Sequence, residues 1–318
     1  MTTHGAILDS VHNAKRSPTS RSVFIRDKHI NVYVWPALNN PENDNTIGDP
    51  IVLLHATGFH ARCWDKIIHQ LPSNAPIFAI DALCHGKSDS IDPPYHWHRF
   101  AEYTEDVITE LGLSNITIVG HSFGGHVATL LAASKPDRFK QLLLLDPVIG
   151  NPDHIKLWQS AASFGNPVAK RRNQWSSPNE LIEKLGRKPP FNNWDKDVLR
   201  DYCEFGLTQT NDGYKLACPP ACEAAIYGIV GVEKTYAKLA DIKTPTFIIR
   251  ARNRIAEDSP MDFRPSPTWD KLVSQLPNAK EIHCTERSHF FPMEDPDFVA
   301  GLINELYESN SIAEAKTA

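Results

Sequence analysis

The run Asn115-Ile116-Thr117-Ile118-Val119-Gly120 leads directly into His121-Ser122-Phe123-Gly124-Gly125. Read together, they decide the fold. The first part is a short apolar strand, Gly120 to Gly124 match G-x-S-x-G, and a helical pattern continues to about Ala133. So sharp a strand-to-helix turn forces the serine backbone into a strained geometry, and small residues must flank it. Gly120, Gly124 and Gly125 do so. The turn lifts the Ser122 hydroxyl above the sheet edge and leaves the Phe123 N–H at a helix start, aimed where an oxyanion would form.

Working outward, short β-rich runs alternate with helical patterns, which predicts a mainly parallel sheet covered by helices. SVFIR (22–26) and INVYVW (30–35) read as an opening hairpin, followed after a polar loop by the strand IVLLH (51–55). A helix around Arg62–Leu71, the strand PIFAID (76–81) and a helix around Trp97–Leu111 come next. Beyond the serine turn, LLLLD (142–146) is an apolar strand ending in a carboxylate. From about Val148 to Leu239 the chain is rich in Trp, Asn, Pro and basic residues and lacks strand signals, so it reads as a mostly helical insertion. The sheet pattern resumes with TPTFIIR (244–250), a helix near Trp269–Leu276 and AKEIHC (279–284). It closes with Ser288-His289-Phe290, a helix from about Pro296 to Glu308, and a tail with too little apolar surface to order itself.

Composition excludes several classes. The 318 residues include 33 Lys+Arg against 38 Asp+Glu, a net charge of −5, so no basic surface exists to replace counterions on a nucleic acid. Gly and Pro together are about one residue in eight, far from low-complexity composition. No stretch is apolar for long enough to span a membrane, and the N-terminus lacks the core of a signal peptide. The six scattered cysteines point to reduced thiols, and the expected compartment is the cytoplasm. Lys316-Thr317-Ala318 lacks the Leu of a peroxisomal tail signal.

The serine motif has company. His55-Ala56-Thr57-Gly58-Phe59 is similar to a His-Gly turn after a third strand, with Ala56 where Gly is usual. Asp81-Ala82-Leu83-Cys84-His85-Gly86-Lys87-Ser88-Asp89 is similar to D-x-x-G-H-G-x-S-D, with Cys84 replacing a Gly. Ser288-His289-Phe290-Phe291-Pro292-Met293-Glu294-Asp295-Pro296 is similar to G-H-F-x-x-x-E-x-P. With these motifs in this order, the chain resembles the α/β-hydrolase superfamily over Ile51–Gly150 and Pro245–Leu302. The resemblance implies an eight-stranded, mainly parallel sheet with helices on both faces. It also implies a division into core (1–147), helical lid (148–239) and core again (240–318).

It further implies that Ser122 attacks a carbonyl while the N–H groups of Thr57 and Phe123 hold the oxyanion. His289, after the last strand, can reach across the sheet's C-terminal edge as general base. The triad acid is the point of departure. Where many members carry it, after the seventh strand, this chain reads Arg250-Ala251-Arg252-Asn253-Arg254, with Glu257 and Asp258 several residues late. Asp146, 24 residues after Ser122 and at the end of LLLLD, is the better candidate, a placement that haloalkane dehalogenases and some lactone-cleaving relatives share. His85, His121 and His126 read as hydrogen-bonded packing residues and His55 as a buttress of the oxyanion loop. The histidines show no metal-ligand spacing, and no metal or cofactor is expected.

In the insertion, Trp158, Trp175, Trp194, Phe205 and Tyr227 are candidate pocket walls, although each is more readily a packing residue. Lys170-Arg171-Arg172 reads as a solvated face. Cys218-Pro219-Pro220-Ala221-Cys222 has the wrong spacing for a zinc knuckle and no second pair. The expected activity is cofactor-independent hydrolysis of a carboxylic ester or lactone of a small hydrophobic molecule, with no nucleic-acid or membrane partner and at most a second copy of the chain. Carbon–carbon bond hydrolysis and acyl transfer would use the same triad, and a ligand-binding member would not use it at all. Ser122 excludes the carboxylate nucleophile of dehalogenases and epoxide hydrolases.

Overall fold

A computed structural model describes residues 16–38, 47–154, 165–228, 235–259 and 262–309. Eight strands build one sheet in the order β1-β2-β4-β3-β5-β6-β10-β11. They are β1 (Thr19–Ile25), β2 (Lys28–Trp35), β3 (Ile51–Leu54), β4 (Ile77–Ile80), β5 (Ile116–His121), β6 (Phe139–Leu145), β10 (Thr246–Arg250) and β11 (Ala279–His283). β2 runs antiparallel to both β1 and β4, and every other pair is parallel.

The two-residue side-chain period explains why these strands read as continuous apolar runs: both faces are covered. Ile118, Leu142, Leu144 and Ile248 face one apolar layer with the helices Trp97–Glu110 and Phe123–Ser134. Val119, Leu143, Leu145, Phe247 and Ile249 face the other, formed with Trp64, Ile67 and the helix Pro296–Glu308. Each such buried side chain contributes roughly 1.5–3 kcal/mol. The central strands β3, β5, β6 and β10 thereby hold their C-terminal ends rigidly side by side.

Three expectations need correction. The first strand begins at Thr19 rather than Ser22. The region Trp269–Leu276 forms only a 3₁₀ turn at Leu272–Gln275, because its Lys271-Leu272-Val273-Ser274 pattern lacks a second apolar turn. The insertion is not all helical. Between β6 and β10 it carries the helices Gly165–Ala169, Pro178–Leu185, Lys196–Phe205 and Pro220–Tyr227. With them is a small antiparallel sheet, β7 (Gln174–Trp175), β8 (Leu207–Thr210) and β9 (Gly213–Leu216), in the order β7-β9-β8. Its strands are short and polar, so periodicity could not reveal them, yet the two-residue turn Asn211-Asp212 that joins β8 to β9, with Gly213 following at φ 126°, is a local hairpin signal.

Candidate active site

The turn from β5 to the next helix holds Ser122 at φ 56°, ψ −115°, a sparsely populated conformation. Backbone is packed too closely around it for larger residues. A Cβ on Gly120 would come within 2.4 Å of the Gly124 carbonyl oxygen, and one on Gly124 within 2.2 Å of the Leu54 carbonyl oxygen. The neighbouring strand fixes the turn as well, since Ser122 N–H donates to Leu145 O at 3.0 Å.

β6 runs directly into Asp146, which also has a positive φ, 47°. β11 leads into the loop bearing His289. These three meet. His289 Nε2 lies 3.0 Å from Ser122 Oγ, and His289 Nδ1 lies 2.6 Å from Asp146 Oδ2. Asp146 is fully buried, while Ser122 and His289 each keep 7% of their surface exposed, so only the Ser122 end of this hydrogen-bonded chain meets solvent. The other Asp146 oxygen accepts from Ala251 N–H (3.1 Å), Ser266 Oγ (2.5 Å) and Thr268 Oγ1 (3.1 Å). Burial pushes the Asp146 carboxyl up, but the hydrogen bond and charge of His289, aided by Ser266 and Ala251, outweigh it and hold the group below its usual range.

The His289 backbone is held on both sides. Its N–H donates to Arg264 O at 2.6 Å, and its carbonyl accepts from His121 Nε2 at 2.9 Å. His121 is buried and its pKa is lowered to about 3, so it is a neutral donor.

The loop after β3 faces Ser122. Among the described residues no carbonyl or side chain accepts from Thr57 N–H, and Phe123 N–H is a first-turn helix donor with no intrahelical partner. Both peptides flanking Thr57 are fixed. His55 Nδ1 donates to Ala56 O at 2.7 Å while its Nε2 accepts from Ala82 N–H at 3.0 Å. His85 Nε2 accepts from Gly58 N–H at 2.9 Å while its Nδ1 donates to Leu83 O at 2.8 Å. Burial lowers both histidines to about 3, leaving neutral rings that can accept and donate at once.

The alternative acids lie elsewhere. Asp258 is bound to Arg252 at 2.8 Å and receives Ile255 N–H, and Glu257 is exposed. Arg250 stands where the acid is usual because it pairs with Glu281 of β11 at 3.0 Å.

The insertion aromatics divide. Trp194 packs between Phe59 of the loop after β3 (5.5 Å) and Phe290 beside His289 (5.9 Å). The Tyr227 hydroxyl points at the Thr57 carbonyl, 3.4 Å away. Trp175 lies under the Arg172 guanidinium (4.2 Å) and Phe205 under that of Arg62 (3.8 Å), so both are occupied in packing. Trp158 lies outside the described residues. The basic run is not all solvated: Arg171 forms an ion pair with Glu223, which is buried against Gly58. Burial pushes the Glu223 carboxyl up to about 7 despite Arg171. Sequence reading also missed Ser266, Thr268 and Arg264. They sit in a proline-broken loop with no periodic signal, and only the fold brings them to Asp146 and His289.

Comparison with known proteins agrees with this architecture. The chain is 32% identical over 305 residues to the serine hydrolase-like protein of Mus musculus, covering 88% of this chain and 92% of that one. It is 38% identical over 101 residues to lipase LipV of Mycobacterium tuberculosis, a match that spans 31% of this chain and only 37% of the lipase. The crystal structure of E-2-(acetamidomethylene)succinate hydrolase superposes with a TM-score of 0.73 at 17% identity, covering 92% of this chain and all of that one. Among the described residues no helix is long and apolar enough to cross a membrane. A family model described as the alpha/beta hydrolase family matches residues 51–302, most of the chain and both halves of the sheet, and the chain belongs to that family.

Proposed function

We propose that this protein is a serine hydrolase that cleaves a carboxylic ester or lactone of a small hydrophobic molecule through an acyl-enzyme. The observation that carries this reading is the continuous Ser122–His289–Asp146 hydrogen-bond chain, 3.0 and 2.6 Å long, at the C-terminal edge of the sheet. His289 Nε2 takes the Ser122 proton as Oγ attacks the carbonyl carbon. The ionised Asp146 holds Nδ1–H and stabilises the imidazolium that forms. The tetrahedral oxyanion sits between the N–H groups of Thr57 and Phe123, donors worth roughly 3–4 kcal/mol each in transition-state stabilisation. His289 then returns the proton to the leaving alcohol, and in the second half it activates water against the acyl-enzyme.

Trp194 and Tyr227 border the site on the insertion side and would contact the acyl or alcohol portion. A panel of short acyl esters, aromatic esters and macrolactones tests the reading. At least one is turned over by the wild type, Ser122→Ala and His289→Ala each abolish that turnover, and the double variant is little worse than either. Near wild-type hydrolysis by Ser122→Ala would overturn it, and products of carbon–carbon cleavage or acyl transfer would redirect the substrate assignment.

A further inference from the structure

Of the basic run Lys170-Arg171-Arg172, Arg171 alone is drawn inward. It follows the helix Gly165–Ala169 with 31% of its side chain exposed, and its guanidinium pairs with Glu223 of the helix Pro220–Tyr227. Glu223 is 4% exposed, and its carboxylate packs against Gly58. A guanidinium carries more donors than one carboxylate can use, and Glu223 is the one carboxylate bound to it among the described residues. The Arg171 Nε–H is buried with no acceptor. Buried donors are ordinarily paired, so this one marks a site built to receive an acceptor. A cavity lies beside it. Arg171 lines that cavity together with Gly58, Phe59, His60, Tyr202 and Leu216, whereas Glu223 is not part of its wall. Gly58 and Phe59 directly follow Thr57, so the cavity adjoins the oxyanion turn.

We propose that Arg171 is a specificity-determining residue that binds a carboxylate of the substrate, so that the ester or lactone cleaved at Ser122 is one whose apolar chain also bears a free carboxylate. This rests on the serine-hydrolase reading above and narrows its substrate class. Arg171 is the one charged residue on the cavity wall, and a guanidinium fork matches a carboxylate through two parallel N–H bonds. Phe59 and Leu216 leave room beside it for an apolar chain.

Glu223 does not keep a second carboxylate out. Burial holds its carboxyl up to about 7 despite Arg171, so it takes up a proton when an incoming carboxylate takes over the guanidinium. The other titratable groups around the pair stay uncharged: burial raises Tyr202, Tyr227 and Cys218 and lowers His60. Binding is therefore coupled to protonation of Glu223. Above pH 7 the free protein lacks that proton and the complex holds it, so affinity rises as pH falls towards 7.

The test is calorimetric titration of the full-length Ser122→Ala protein, which binds without turnover, with the monomethyl esters of succinate, glutarate and adipate and with the corresponding neutral dimethyl esters. At least one half-ester should bind about 10-fold or more tightly than its diester at pH 7, and about 10-fold more weakly at pH 8.5 than at pH 7. Its binding heat should vary with the ionisation enthalpy of the buffer, as proton uptake requires. Adding Arg171→Gln should erase the preference for the half-ester, and Arg171→Lys, which keeps the charge but not the fork, should restore part of it. Arg171→Gln leaves a buried carboxyl without its cation, so the combination of Arg171→Gln with Glu223→Gln, which strands no charge, guards against a folding defect: with an unchanged Tm it too should show no preference. The proposal is overturned if half-esters bind Ser122→Ala no more tightly than diesters, or if the preference survives once Arg171 and Glu223 are both glutamine. Fluorophosphonate labelling of Ser122 in the wild type reads the hydrolase assignment separately, so an unreactive serine and a missing carboxylate preference are told apart.

Discussion

Asp146 Oδ2 lies 2.6 Å from His289 Nδ1 across a separation of 143 residues, although an ionisable pair that close could be built from nearer carboxylates. The difference between Asp146 and its rivals is the company each keeps. Asp146 is buried among Ala251 N–H, Ser266 and Thr268, which hold one oxygen and leave the other for His289. Asp258 has both oxygens committed to Arg252.

Asp146→Asn should therefore lower kcat severely with little change in fold. The amide preserves shape but favours the wrong imidazole tautomer, a change that lowers the rate on the order of 10⁴-fold in a protease with the same residue types. Asp258→Asn and Glu257→Gln should stay within a few-fold of wild type. Steady-state kinetics on any accepted ester decides between them, and the reverse ranking would move the acid to the loop after β10.

Ser266 and Thr268 show where sequence reading stops. The place of Asp146 was legible because LLLLD ends in a carboxylate and the Arg250–Arg254 run leaves none at the usual position. Its two hydroxyl donors were not, since they lie in a loop broken by Pro265 and Pro267, and their contact arises only from tertiary closure. The strands of the large sheet were legible for the opposite reason: burial on both faces makes them apolar without interruption. Arg171 misled because a run of three basic residues is ordinarily solvated. Its partner Glu223 lies 52 positions on and carries no local sign of the pairing.

Acid should destabilise the fold through its buried histidines, an effect offset only in part by the Glu223 carboxyl, which is held up to about 7 and binds its proton in the folded chain. His55, His85 and His121 have folded pKa values near 3 and His126 near 4, against an ordinary value of 6.5, in each case first because of burial. Below 6.5 the unfolded chain binds protons that the folded chain refuses. Stability is thus full above about pH 6.5 and falls as pH drops towards these folded values. Thermal melts between pH 6.5 and 4.5 should show a steadily decreasing Tm, and a flat profile over that range would contradict the neutral buried rings.

His85 should matter to rate as well as to stability. His85→Leu leaves Gly58 N–H without an acceptor, an effect of about 1–3 kcal/mol that would appear as roughly a 10- to 100-fold loss in kcat if the adjacent Thr57 donor shifts. His85→Gln, which can still accept, should recover part of the loss. Equal kcat in the Leu and Gln variants would show that the ring acts by volume alone.

The relay of Ser122, His289 and Asp146 is tested most directly by incubation with a fluorophosphonate followed by intact-mass and peptide measurement. The serine should take up one phosphonyl group at Ser122, with no adduct in Ser122→Ala and slower uptake in Asp146→Asn. No adduct on wild-type protein, or an equal adduct in Ser122→Ala, would mean that the 3.0 Å contact between Ser122 and His289 does not activate the hydroxyl.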